Sequence, residues 1–181
     1  DLWYHLAGGR HLLETGDLYN PLLQSFLPDS RDFINYFWGF QAAVYLTWLS
    51  EGELGLVILK TGLFVVCAYF ALRILLDGKR IKDAEFLQLF AFAIVIGILC
   101  ARGLTLRPHL ASYAMIPTFI YILAYKEKFY FLLPLLTVIW VNLHGVEYVV
   151  GALICGSYFL SRLANFNGDY KPLIWIAGCL P

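Results

Sequence analysis

Long runs of apolar residues, separated by short polar connections, set the pattern of this chain. The clearest run, Leu54 to Leu76, is apolar on every side of a helix rather than along one stripe. At about 1.5 Å per residue it is long enough to cross a bilayer core of about 30 Å. Further apolar stretches lie near 86–101, 109–125, 129–142, 146–161 and from 172 onward. The pattern predicts five or six spans, and so an all-α, multi-pass transmembrane helical bundle.

The first fifty residues follow another pattern. Residues 1–15 have helical spacing, and Gly16 suits the left-handed position that ends a helix. Residues 17–32 read as loop, with Asn20-Pro21, Pro28-Asp29 and Ser30 as turn signals. A second helix over about 33–50 carries Phe33, Tyr36, Phe37, Trp38, Phe40, Tyr45 and Trp48, and Glu51-Gly52 closes it. Such aromatic density suits the headgroup boundary. Residues 1–50 therefore read as an external loop with two interfacial helices, the second lying on the surface or entering the bilayer obliquely. Residues 51–181 read as the transmembrane region.

Composition agrees with a membrane setting. Of 181 residues, 60% are hydrophobic and 14% charged, against about 25% charged in soluble domains, and mean hydropathy is +0.69. Thirteen basic residues balance thirteen acidic ones, without the basic stripe that a nucleic-acid partner would favour. Cys67, Cys100, Cys155 and Cys179 lie in apolar segments, lack metal-type spacing and read as small buried hydrophobes. The chain opens at Asp1 without a leader pattern and closes inside an apolar run, so it reads as a piece of a longer protein.

Charge then orients the spans. Arg73, Lys79, Arg80, Lys82, Lys126, Lys128, Arg162 and Lys171 flank alternate connections, which the positive-inside bias assigns to the cytoplasm. The opposite face receives segments 1–50, 101–109 and 142–147. Asp1, His5, Arg10, Arg102, Arg107, His109, Asn142, His144 and Glu147 are thereby expected on one side. Some such residues simply cap helices or snorkel. Two arginines in an external loop, however, run against the bias, and ionisable groups at membrane depth are usually functional.

Each cluster suggests a chemistry. In Arg107-Pro108-His109, proline fits the first helical turn and puts Arg107 at the N-cap, beside free backbone donors. That is an anion site, and arginine grips phosphate bidentately. Asp1 and His5, four apart, share a helix face, where the imidazole could orient the carboxylate. Trp140, Asn142, His144 and Glu147 surround a tight connection, where they either bind sugar hydroxyls or satisfy helix-end groups.

The order of DLWYHLAGGRHLLETGDL, an Asp/Ser loop, INYFWGF, a span, LRPHL and WVNLHG resembles bacterial membrane proteins of the GT-C glycosyltransferase superfamily. The resemblance covers most of the chain, through motifs that are individually degenerate. It implies a multi-pass enzyme of the inner membrane that moves a sugar from a polyprenyl-phosphate carrier to a glycan, lipid or protein acceptor. An acidic residue just after the first span acts in that superfamily as base, or binds acceptor or metal, and Asp1 matches its place. His5 would support it, Arg102, Arg107 and His109 would hold the lipid phosphate, and Asn142, His144 and Glu147 would contact acceptor or sugar.

The resemblance allows a divalent cation, but the sequence names no ligands for one. The segment ARGLTLRPHL also lacks the second acidic residue of many relatives, leaving Glu147, Asp17, Asp29 or Asp32 as substitutes. Three alternatives stay open. A transporter or flippase of an anionic lipid or solute would use the arginines as a relay. An O-antigen ligase or polymerase type of enzyme would rely on Arg102, Arg107 and His109 and dispense with Asp1. A noncatalytic membrane scaffold is the last.

Overall fold

The computed structural model describes residues 2–18, 35–76, 85–103, 105–166 and 168–180, with the side chains of 102 and 103 excepted. Among these the chain is all helical: α1 (Leu2–Thr15), α2 (Trp38–Leu75), α3 (Phe86–Gly103), α4 (Pro108–Tyr125), α5 (Leu133–His144), α6 (Tyr148–Ala164) and α7 (Lys171–Ala177). Short 3-10 segments, Glu127–Leu132 and Gly145–Glu147, lead into α5 and α6. The expected Asp1, the loop at 19–34 and the basic loop at 77–84 lie outside the described residues.

The apolar runs become helices close to where the pattern puts them. Gly16 ends α1 at φ 73°, donating its N–H to the Leu12 carbonyl. The aromatic helix differs from expectation. It starts at Trp38 and does not stop at Glu51-Gly52, but kinks at Gly52 and continues to Leu75. Gly52 has φ 57° and ψ −137°, a conformation open to glycine at no steric cost, so a residue that looked like a terminator serves as a hinge between two helical limbs.

α4 is the central helix, packed against α2, α5 and α6. Its first turns join one core, with Leu6, Phe40, Val44, Leu56, Leu106 and Leu110. Its last turns join another, with Phe119, Ile122, Leu123, Tyr130, Trp140 and Ile176. α1 lies against α2 because Gly8 and Gly9 permit close approach: a Cβ on Gly9 would sit 2.2 Å from the Gln41 carbonyl oxygen. Gly39 does the same for α5, where a Cβ would lie 2.6 Å from the Asn142 carbonyl.

Two helical stretches, Trp38–Leu75 and Glu127–Ala164, are long and apolar enough to cross a membrane, and Phe86–Ala101 is a shorter apolar helix. The second stretch doubles back, since Arg162 near its end bonds Glu127 at its start at 2.6 Å. Large apolar side chains stay exposed along most helices, among them Leu54, Ile58, Phe86, Leu87, Ile98 and Leu153. Exposed apolar side chains in this number suit contact with lipid or protein better than water.

The charges divide between the two ends. At one end Arg73 and Lys126 both lie over the Tyr121 ring, at 5.8 and 5.7 Å, and Arg162 lies over Tyr130. At the other end are Arg107 and His109, at the opposite terminus of α4. Eighteen helical residues separate these ends by about 27 Å, close to the thickness of a bilayer core.

Candidate functional site

The site is assembled where three connections meet. Arg107 is the N-cap of α4, with extended backbone (φ −137°, ψ 159°) and Pro108 opening the helix, as the sequence predicts. One residue on, His109 projects from the first turn and is half exposed. His144 ends α5, and Glu147 lies three residues later in the 3-10 turn that begins the next helix.

These groups touch. The Glu147 carboxylate approaches Nε2 of His109 at 3.6 Å and Nδ1 of His144 at 2.9 Å. The two imidazole rings are 4.8 Å apart, centroid to centroid. His144 is buried, and its Nδ1 also lies 2.9 Å from the Ser112 hydroxyl oxygen. That oxygen accepts the Trp140 indole N–H at 2.9 Å. Motif WVNLHG therefore folds back on α4, with its tryptophan fixing the serine that fixes its histidine.

The aromatic motif INYFWGF supplies the third wall. Phe37 lies between two imidazoles, 6.3 Å from His5 and 5.4 Å from His144. Asn35 donates from its side-chain amide to Oε1 of buried Gln41 and accepts the Phe37 N–H, which pins the start of α2. His5 is buried against Phe40, and its Nδ1 has no hydrogen-bond partner among the described residues. Burial, with positive charge nearby that includes Arg107, pulls its pKa down to about 4 and keeps the ring neutral.

Arg107 also lines two cavities. The larger, about 460 Å³, has Leu2, Trp3, Leu6, Trp48, Leu56 and Val57 as apolar wall, with Glu53, Lys60 and Arg107 as charged members. The smaller, about 290 Å³, is bounded by Arg107, His109, Thr105 and Tyr113 among others. Lys60, from the second limb of α2, thus belongs to the same cavity as Arg107.

The expected site residues fare differently. Arg107, His109, His144 and Glu147 come together, with His5 behind Phe37. Arg102 falls in the last turn of α3, and Asp1 lies outside the described residues. Asn142 uses its amide on its own helix, donating to the Val138 carbonyl at 2.7 Å. Sequence spacing named no metal ligands, yet His109, His144 and Glu147 offer three donor atoms within 4.8 Å of one another. Ser112 and Phe37 were missed; Ser112 reads as an ordinary helical serine, and the i, i+3 spacing of His144 and Glu147 was the signal for that pair.

No protein-family model, curated protein or solved structure matches the chain. Its superfamily reading is carried by its residues alone.

Proposed function

We propose that the chain belongs to a multi-pass inner-membrane glycosyltransferase that moves a sugar from a polyprenyl-phosphate carrier to an acceptor hydroxyl at the extracytoplasmic face. The observation that carries this is the 460 Å³ cavity, whose wall is apolar and aromatic while Arg107 and Lys60 line it. An isoprenoid tail entering from the bilayer packs against such a wall by van der Waals contact. A phosphate at its end gains from the guanidinium and from the N-terminal turn of α4.

In this reading Asp1 takes the proton of the acceptor hydroxyl as its oxygen attacks the anomeric carbon. The bond from that carbon to the phosphate oxygen breaks, its electron pair stays on phosphate, and Arg107 with Arg102 stabilises the developing charge. His5, buried and uncharged four residues from Asp1, positions the base.

The test is transfer of labelled sugar from a polyprenyl-phosphate donor by the full-length protein in liposomes. Asp1→Asn is expected to lose about 100-fold or more in turnover, and Arg107→Ala to weaken donor capture. Wild-type turnover in Asp1→Asn would remove the assigned base. It would favour a ligase-like reading, which has its own support in the smaller cavity that Arg107 and His109 share.

A further inference from the structure

We propose that His109, His144 and Glu147 bind a divalent transition metal of the zinc class, in a site reached from the cavity that Arg107 and His109 line. Such a site is separate from sugar transfer and does not depend on it.

The donor set comes first. Two imidazoles and one carboxylate are borderline ligands that suit zinc, and three protein ligands leave a fourth position open. At metal–ligand bonds of about 2.0–2.1 Å, tetrahedral donors lie about 3.4 Å apart. The Glu147 oxygens stand 2.9 Å from Nδ1 of His144 and 3.6 Å from Nε2 of His109, and all three donors fall within 4.8 Å. The widest separation exceeds the tetrahedral spacing, so the half-exposed His109 ring must move inward to complete the shell.

The support around it comes second. Metal sites need their ligands held by outer groups. His144 is buried under Phe37, and the Ser112 hydroxyl, fixed by the Trp140 indole, stands 2.9 Å from the same Nδ1, so it turns away from the ring when a metal takes that lone pair. His109 and Ser112 rise from the first turns of one helix, and His144 and Glu147 flank one tight turn. The two halves are therefore fixed by backbone rather than by long flexible chains.

Charge comes third. A carboxylate set between two imidazoles repels an anion at His109, where the sequence suggested phosphate binding. A dication at the same point reverses the sign and makes His109, Glu147 and Arg107 work toward one anionic ligand. This places the metal at the join of α5 and α6, on residues other than the acidic one that the family resemblance suggests.

The test uses tag-free full-length protein in detergent, stripped by chelator, desalted and titrated with Zn²⁺ or Co²⁺ alone. About one ion per chain is expected, with the intense visible absorption of tetrahedral Co²⁺. His109→Ala and Glu147→Gln, both partly exposed positions, should each weaken uptake about 10-fold or more, since even loss of an outer-shell group can do so. His11→Ala should leave it unchanged, and circular dichroism would check that each variant keeps its helix content. No uptake by the wild type, or uptake that survives the double substitution H109A/E147Q, overturns the site.

Discussion

The Trp140 indole donates to Ser112 across the α4–α5 interface at 2.9 Å, and both partners are buried. The bond joins a core residue to the site, because the same hydroxyl oxygen is the neighbour of His144. Trp140→Phe keeps most of the bulk and deletes the donor. A loss of about 1–2 kcal/mol is expected from the missing bond and the stranded hydroxyl, read by thermal unfolding in detergent. Unchanged stability would show that the indole is only packing.

The two glycine substitutions at Gly9 and Gly62 should have opposite signs. A Cβ at Gly9 would meet the Gln41 carbonyl at 2.2 Å, and backbone cannot yield as a flexible side chain does. Gly9→Ala is expected to push α1 off α2, uncovering His5 and opening the cavity that Leu2, Trp3 and Leu6 wall. Limited proteolysis of α1 would report it. Gly62, within the second limb of α2, has nothing within 4 Å. There alanine should be neutral or stabilising by up to about 1 kcal/mol, because it restricts the unfolded chain.

The His5 ring makes the docking of α1 sensitive to acid. Its folded pKa of about 4 lies below the ordinary value of 6.5, so the fold favours the neutral ring. The stability this confers is complete above about pH 6.5 and is lost as pH falls toward 4, where the unfolded state binds the extra proton. Burial is the main cause, and Arg107 and His144 add to it. Melting temperature measured over this window for the wild type and for His5→Phe should separate the effect from carboxylate titration, since both proteins share the latter. Parallel curves would refute the buried neutral ring.

How much of this was legible in the sequence follows from range. Helices are local, so apolar runs and the Arg107-Pro108 start of α4 could be read directly. Cys67, Cys155 and Cys179 are buried as expected, but Cys100, with equally apolar neighbours, is only partly buried, because burial depends on what packs against its helix. His109 and Glu147 belong to different helices, and only the fold of α4 against α5 and α6 brings them within 3.6 Å. Phe37 looked interfacial because aromatic residues favour the headgroup region, but its ring fills the gap between His5 and His144. Gly52 shows the remaining difficulty: a glycine that ends a helix and one that kinks it have the same identity, and the following apolar limb decides which occurs.

Sidedness is the last consequence. If the two ends of α4 face opposite sides of a bilayer, Glu127 and Val146 must do so too, because Glu127 follows the end of α4 and Val146 lies in the turn beside His109. Single cysteines at these positions, Glu127→Cys and Val146→Cys, would be made in a background with the native cysteines replaced by alanine. A membrane-impermeant thiol reagent added to intact cells stripped of their outer barrier should label Val146→Cys alone, and Glu127→Cys only after the membrane is opened. Losing Glu127 removes an exposed ion pair with Arg162, which costs no more than about 1 kcal/mol and leaves the hairpin standing. Labelling of both positions from outside would refute the alternation of basic inner and reactive outer connections on which the proposed site depends.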